Sequence, residues 1–210
     1  VDAMDQIIEQ HRQPIMVVNR QLRKHLSHCV CCDHKDSSYQ ATRYLLQQGH
    51  RDIAFISGSL DSPTAIERLS GYKQALAEAD IAQQDALIAG GRWSAESGAA
   101  AVERLLASQA PFSALLASND DMAIGAMKAL ASAGLRVPQD VSVVGFDNIP
   151  NAAWLQPSLT SVKEPVSEMI GEVINRLISM LDGGYLSTDN LLSAGLIIRD
   201  STGPGPYYQG

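Results

Sequence analysis

The sequence predicts an α/β protein built on parallel sheets with helices on both faces. Three observations predict it. Short apolar runs such as DIAFIS, ALIAG, ALLAS and VSVVGF alternate with helical patterns along most of the chain. Those runs are apolar throughout rather than alternating, as in a parallel strand covered on both sides. Helical segments close on Gly49 and Gly134 and open after Pro63 or Ser94, the residues that favour helix ends.

In chain order, a helix over Asp2–His11 leads to a strand over Pro14–Asn19 and a strand-like piece over Cys29–Cys32. A helix then spans Asp36–Gln48, followed by strand Ile53–Ser57, helix Ala65–Ala79, strand Ala86–Ala89 and helix Ala95–Ala107. Strand Ser113–Ala117, helix Met122–Ala133 and strand Val141–Phe146 complete the run of β-α units. Beyond it the rhythm breaks. Leu159–Val162 reads as a connecting strand, and Val166, Met169, Ile170, Val173, Ile174, Leu177, Ile178 and Leu181 form one apolar stripe at helical spacing. A last strand is expected over Leu191–Ile198, and the tail GPGPYYQG is expected to be disordered. The opening helix and PIMVVN have no earlier β-α units to pack on, and two strands do not make an independent sheet. The chain is therefore expected to begin inside a domain whose first units precede Val1.

Composition narrows the function classes. The net charge is −7, with no basic run, which argues against broad contact with a phosphate backbone. No apolar stretch reaches membrane-spanning length, and Val1 opens no signal peptide. The three cysteines cluster in HCVCCDH with His28 and His34 beside them. Zinc sites use cysteine pairs two to four residues apart with a second pair elsewhere. There is no second pair, so a buried strand of cysteines is expected and no metal or cofactor. An odd count without a disulfide framework fits a reducing cytoplasm.

The candidate site lies where apolar strands give way to polar residues. In open α/β sheets, ligands sit beyond the carboxyl ends of the strands. Asp147 ends VSVVGF. It either caps the turn or accepts two hydrogen bonds from a ligand. Ser118-Asn119-Asp120-Asp121 ends ALLA. Ser118 with Asp121 matches a capping box, and Asn119 and Asp120 read first as helix caps. A second polar strand end in the next β-α unit weakens that capping reading. Thr64 with Glu67 is another possible capping box. Arg68, one turn further in, is either a solvated charge or a fork of donors aimed at a ligand. Trp93 follows a Gly-Gly pair and precedes a Ser-capped helix; it is either core or a ring on which a sugar rests.

ATRYLLQQGHRDIAFISG, ERLSGYKQAL, SNDDMAIGAMKALASAGLRVPQDVSVVGFDN and LTSVKEPVSEM resemble the effector-binding core of LacI/GalR-type bacterial transcription repressors. The resemblance runs from Pro14 to about Ser201. It implies a periplasmic-binding-protein-like core of two Rossmann-like lobes with parallel sheets, three crossovers and a ligand in the cleft. Residues 1–33 and 161–183 would belong to the amino-terminal lobe, which lacks its start here. Residues 34–160 and 184–202 would form the other lobe, with 203–210 as tail. The crossovers near Cys32–Lys35, Ser158–Val162 and Gly183–Leu191 would be hinges. Family sugar contacts fall on Asn19, Arg68, Trp93, Asn119, Asp147 and Glu164, while Ser62 and Thr64 match a loop that lines the cleft in some members. The implied partners are a small sugar effector, operator DNA through an upstream helix-turn-helix absent from this chain, and a second copy in a homodimer; no membrane is implied.

A transport sugar-binding protein would share this fold and site. Residues upstream of Val1 discriminate: a secretory signal for transport, a helix-turn-helix for repression. An enzyme is not expected. There is no G-x-S-x-G, no phosphate-cradling glycine loop and no nucleophile–base pair. The paired carboxylates Asp120 and Asp121 sit at adjacent helix positions that point apart.

Overall fold

The computed structural model describes residues 3–11 and 13–209, which divide into two compact units. Val1, Asp2 and Gly210, named above as ends of expected elements, lie outside the described residues. The smaller unit comprises residues 1–33 and 164–194, the larger 34–163 and 195–210. Residues 161–163 thus belong to the larger unit and 184–194 to the smaller, the reverse of what the resemblance implied, and the chain passes back at 194–195 rather than near Gly183–Leu191.

The larger unit carries a six-stranded sheet. Its strands are β3 (Ile53–Ser57), β4 (Ile88–Gly90), β5 (Ala114–Ala117), β6 (Ser142–Phe146), β7 (Thr160–Lys163) and β9 (Gly195–Ile197), in the order β4-β3-β5-β6-β7-β9. The first five are parallel, and β9 returns antiparallel to β7. Helix α2 (His34–Gln47) leads into β3, and the crossovers between strands are helices α3 (Pro63–Glu78), α4 (Ala95–Ala107) and α5 (Asp120–Ser132).

Side-chain alternation explains why the strands are apolar throughout. From β3, Ala54 and Ile56 join a core with Val102 and Leu105 of α4 and Met122, Ala126 and Leu130 of α5. Its neighbour Phe55 points the other way and stacks on Tyr72 of α3, ring centroids 4.8 Å apart. The Tyr72 hydroxyl donates to the Ile53 carbonyl at 2.7 Å, so its polar tip is satisfied while burial pushes its pKa up. Each such side chain contributes about 1.5–3 kcal/mol on burial.

The smaller unit holds helix α1 (Ala3–Gln10) and a parallel three-stranded sheet in the order β1-β2-β8: β1 (Val17–Val18), β2 (Cys29–Cys32) and β8 (Leu191–Leu192). All of β2 is buried, and its cysteines are free thiols. Alternation divides them. Cys29 and Cys31 pack with Val17 and Leu22, while Cys32 packs with Met169 of α6 (Val166–Leu181). The α6 stripe is only partly used: Met169 is buried, but Val166, Ile170, Ile174, Ile178 and Leu181 stay exposed.

Four expectations need correction. The run Pro14–Asn19 is strand only at Val17–Val18. The last strand is two short ones, β8 in the smaller sheet and β9 in the larger, because Ser193 and Ala194 carry the chain from one unit to the next. The tail is ordered through Gln209: Gly205 N donates to Gln48 O at 2.7 Å and Tyr207 N to Gly49 O at 3.1 Å. Neither expected capping box forms. Asn119, not Ser118, caps α5, and Ser62 precedes α3 without a side-chain cap.

Candidate functional site

The carboxyl ends of β3, β4, β5 and β6 and the starts of the following helices gather a polar cluster on the larger unit. Arg68 is at its centre. It lies in the second turn of α3 and is only 3% exposed, so it is not a solvated charge. Its guanidinium stands 4.0 Å from the Phe146 ring centroid, donates through one Nη to the Ser118 carbonyl, and places the other 3.3 Å from His34 Nδ1. An arginine this deep needs such partners, because an uncompensated buried charge is costly. Burial first, and the Arg68 charge second, lower the His34 pKa to about 4. His34 is therefore neutral at pH 7, and Nδ1 can accept from Arg68.

Asp147 follows Phe146. Its carboxylate lies 3.7 Å from the Arg68 guanidinium, with its side chain 40% exposed. Its φ of 99° and that of Asn148, 50°, turn the chain sharply at the strand end. The turn reading and the ligand reading are thus compatible. The backbone makes the turn and the side chain faces outward beside a donor.

Trp93 also has positive φ, 65°. Such a backbone costs about 1–3 kcal/mol in a non-glycine residue. Two contacts hold it. Asn119 Nδ2 donates to the Trp93 carbonyl at 3.0 Å, and the indole lies flush on Gly58, where a Cβ would stand 2.0 Å from the ring. Trp93 is half-buried, packing on the larger unit's core at one edge. Asn119 caps α5 through Oδ1, which accepts from Met122 N at 2.9 Å. Capping and orienting Trp93 are both carried by one amide.

The structure thus joins Trp93, Asn119, Arg68 and Asp147 through neighbouring contacts. Ser62 and Thr64 are half-buried at the start of α3. On the smaller unit, Asn19 ends β1 with φ 54°. Its Nδ2 donates to Glu164 at 3.0 Å and its Oδ1 accepts from Cys32 N at 3.3 Å.

Sequence reasoning missed His34, Phe146 as a platform, and Asp120. Asp120 was read as a cap. Instead it is fully buried, and its two oxygens accept from Ser161 Oγ at 2.6 Å and Ile149 N at 2.8 Å. No local pattern marks these roles. An acid in a first helical turn looks the same whether it faces solvent or a neighbouring strand.

Residues 42–202 match the periplasmic binding protein-like domain family. The structure superimposes on a sugar-binding LacI-family transcriptional regulator from Escherichia coli, complexed with phosphate, with a TM-score of 0.91 and 57% identity over 96% of this chain and 73% of that one. The chain belongs to the LacI family. The transcriptional regulator AscG of Escherichia coli K12 is 59% identical over 201 residues, 96% of this chain and 60% of AscG. A third neighbour, the transcriptional regulator CelR in complex with cellobiose, matches at 28% identity and TM-score 0.80 over 94% of this chain and 68% of that one. This LacI-family chain spans about three fifths of the length of the curated relatives it matches. Among its described residues no helix is long and apolar enough to cross a membrane.

Proposed function

We propose that this chain is the sugar-sensing part of a cytoplasmic LacI-family repressor that controls a β-glucoside or related sugar operon, and that it is not an enzyme. Arg68, Trp93, Asn119 and Asp147 on the larger unit and Asn19 and Glu164 on the smaller are its sugar contacts, with Ser62 and Thr64 as accessory positions. The reading rests on one observation above all: a buried, oriented guanidinium beside an outward-facing carboxylate. That pair offers donors and an acceptor side by side, which suits vicinal hydroxyls. The carboxylate repels an anion, so the ligand is neutral rather than phosphorylated. The half-buried Trp93 indole supplies an apolar face for sugar C–H groups. The cellobiose complex of the similar regulator CelR supports a β-glucoside as the effector.

Operator contact is assigned to a helix-turn-helix outside these residues, since the chain carries a net charge of −7 and no basic run. A homodimer would read two half-sites about one helical turn or a multiple apart. Calorimetric titration of the full-length protein with cellobiose, glucose and inorganic phosphate tests the reading. Saturable binding of a neutral sugar is expected. Binding of phosphate alone would overturn it.

A further inference from the structure

We propose that Asp120 is a positioning residue for the turn that presents Asp147: its buried carboxylate acts directly on the Ile149 amide and, through Ser161, on the Asn148 amide. What Asp147 meets rests on the sugar reading above; how Asp147 is held rests on geometry alone.

Consecutive non-glycine residues at positive φ persist only where the surroundings over-determine them. At Asp147 and Asn148 the surroundings do so amide by amide. Asp147 N donates to Val162 O at 2.9 Å, Asn148 N to Ser161 Oγ at 3.0 Å, and Ile149 N to Asp120 Oδ2 at 2.8 Å. The Ser161 hydroxyl in turn donates to Asp120 Oδ1 at 2.6 Å. Two of the three links therefore end on one carboxylate. Room for it comes from Gly145, where a Cβ would stand 2.2 Å from Asp120 Oδ1. Its place at the start of α5 favours negative charge.

The charged groups that face Asp120 are Asp147, from the turn, and Arg199, which donates to Asn148 Oδ1 at 2.6 Å. Burial is the main cause that pushes the Asp120 pKa up to about 6. Ser161 and Ile149 oppose it, Asp147 adds to it, and Arg199 opposes it. The clamp does not need the charge. It needs an acceptor for Ile149 and a partner for Ser161. Asparagine supplies both, by its carbonyl and its amide hydrogens, and alanine supplies neither.

The test measures amide hydrogen exchange at residues 147–149 and cellobiose affinity in the full-length protein. The variants are Asp120→Ala, Asp120→Asn, Ser161→Ala and the double alanine variant. Asp120→Ala should speed exchange at Asn148 and Ile149 and weaken cellobiose binding about tenfold, the size of one lost hydrogen bond. Asp120→Asn should restore both. The double variant should add little to either single one, because both act on one turn. Should Asp120→Ala fail to fold, Ser161→Ala against Asp120→Asn makes the same comparison. Unchanged exchange, an asparagine variant as impaired as alanine, or fully additive losses would each overturn the proposal. Faster exchange at undiminished affinity overturns the positioning role when Asp147→Ala weakens binding. If Asp147→Ala binds cellobiose as tightly as the wild type, the sugar reading itself fails.

Discussion

Two buried arginines, one in each unit, show how the same side chain at the same depth serves different ends. Arg176 on α6 is 4% exposed and Arg68 on α3 is 3% exposed. Arg176 spends its donors on its own fold: Glu172 at 2.7 Å and the carbonyls of Ser27, Cys29, Ser187 and Asp189. It ties the segment before β8 to the start of β2, four backbone acceptors on one guanidinium. Arg68 meets one backbone carbonyl, a neutral imidazole, an aromatic face and an outward-facing carboxylate. A guanidinium locked by backbone carbonyls holds a chain in place. One that faces a partly exposed acid sets a donor beside an acceptor at the surface, the pairing on which the proposed sugar site rests. Burial alone does not separate the two arginines; the chemistry of their partners does.

The comparison breaks most directly at Arg176. Arg176→Ala strands several buried acceptors, so the protein should lose about 3 kcal/mol or more of stability, read by urea denaturation. The folded fraction should bind sugar as before. A loss of affinity without a loss of stability would reverse the roles of the two arginines. Next in size is Asp147→Ala, which should weaken sugar binding by about 2–4 kcal/mol, through lost hydrogen bonds to a charged acceptor, and leave the urea midpoint almost unchanged. Gly58→Ala should follow. Its methyl would stand 2.0 Å from the Trp93 ring, so the indole must move, at about 1–3 kcal/mol of stability and with weaker sugar binding.

Around Arg68 the pH dependence of stability should come in two opposed parts. The folded Asp120 has a pKa of about 6, above its unfolded value of about 3.9, so its contribution grows as pH falls from 6 towards 4. The folded His34 has a pKa of about 4, below its unfolded value of about 6.5, so its contribution is lost as pH falls through the same window. Asp120→Asn should make the protein more acid-sensitive between pH 6 and 4, and His34→Gln less so, in denaturation at stepped pH. Parallel shifts in both variants would contradict these environments. The smallest effect is spectroscopic. Trp93→Phe should abolish the fluorescence response to sugar, and Trp154→Phe, at an 84% exposed position, should not.

Much of the larger unit was legible because its strands are short, apolar and punctuated. Ile53–Ser57 and Ala95–Ala107 begin and end where the pattern places them, and so does Val166–Leu181. Leu191–Ile198 misled because the Ser-Ala-Gly interruption in a short apolar run does not reveal that each half joins a different sheet. The tail misled because glycine and proline suggest disorder, while its order comes from hydrogen bonds to residues about 150 positions earlier. The site divides in the same way. Asp147 and Asn119 were visible as polar strand ends. Phe146 and His34 were not, because a platform and a neutral acceptor are defined only by the guanidinium that packing sets beside them. Asp120 was visible as a residue and misjudged in role, since its partners Ser161 and Ile149 come from β7 and from the turn after β6, 41 and 29 positions away.

The central claim is that sugar held beside Arg68 and Asp147 sets operator affinity. Its most direct test is a fluorescence-anisotropy titration of a palindromic operator with the full-length protein, with and without cellobiose, in the wild type and in Asp147→Ala. The expected result is a cellobiose-dependent shift in operator affinity that the substitution abolishes while operator binding without sugar stays intact. The same shift in both proteins would contradict the account, because the sugar would then act from a site that does not include Asp147.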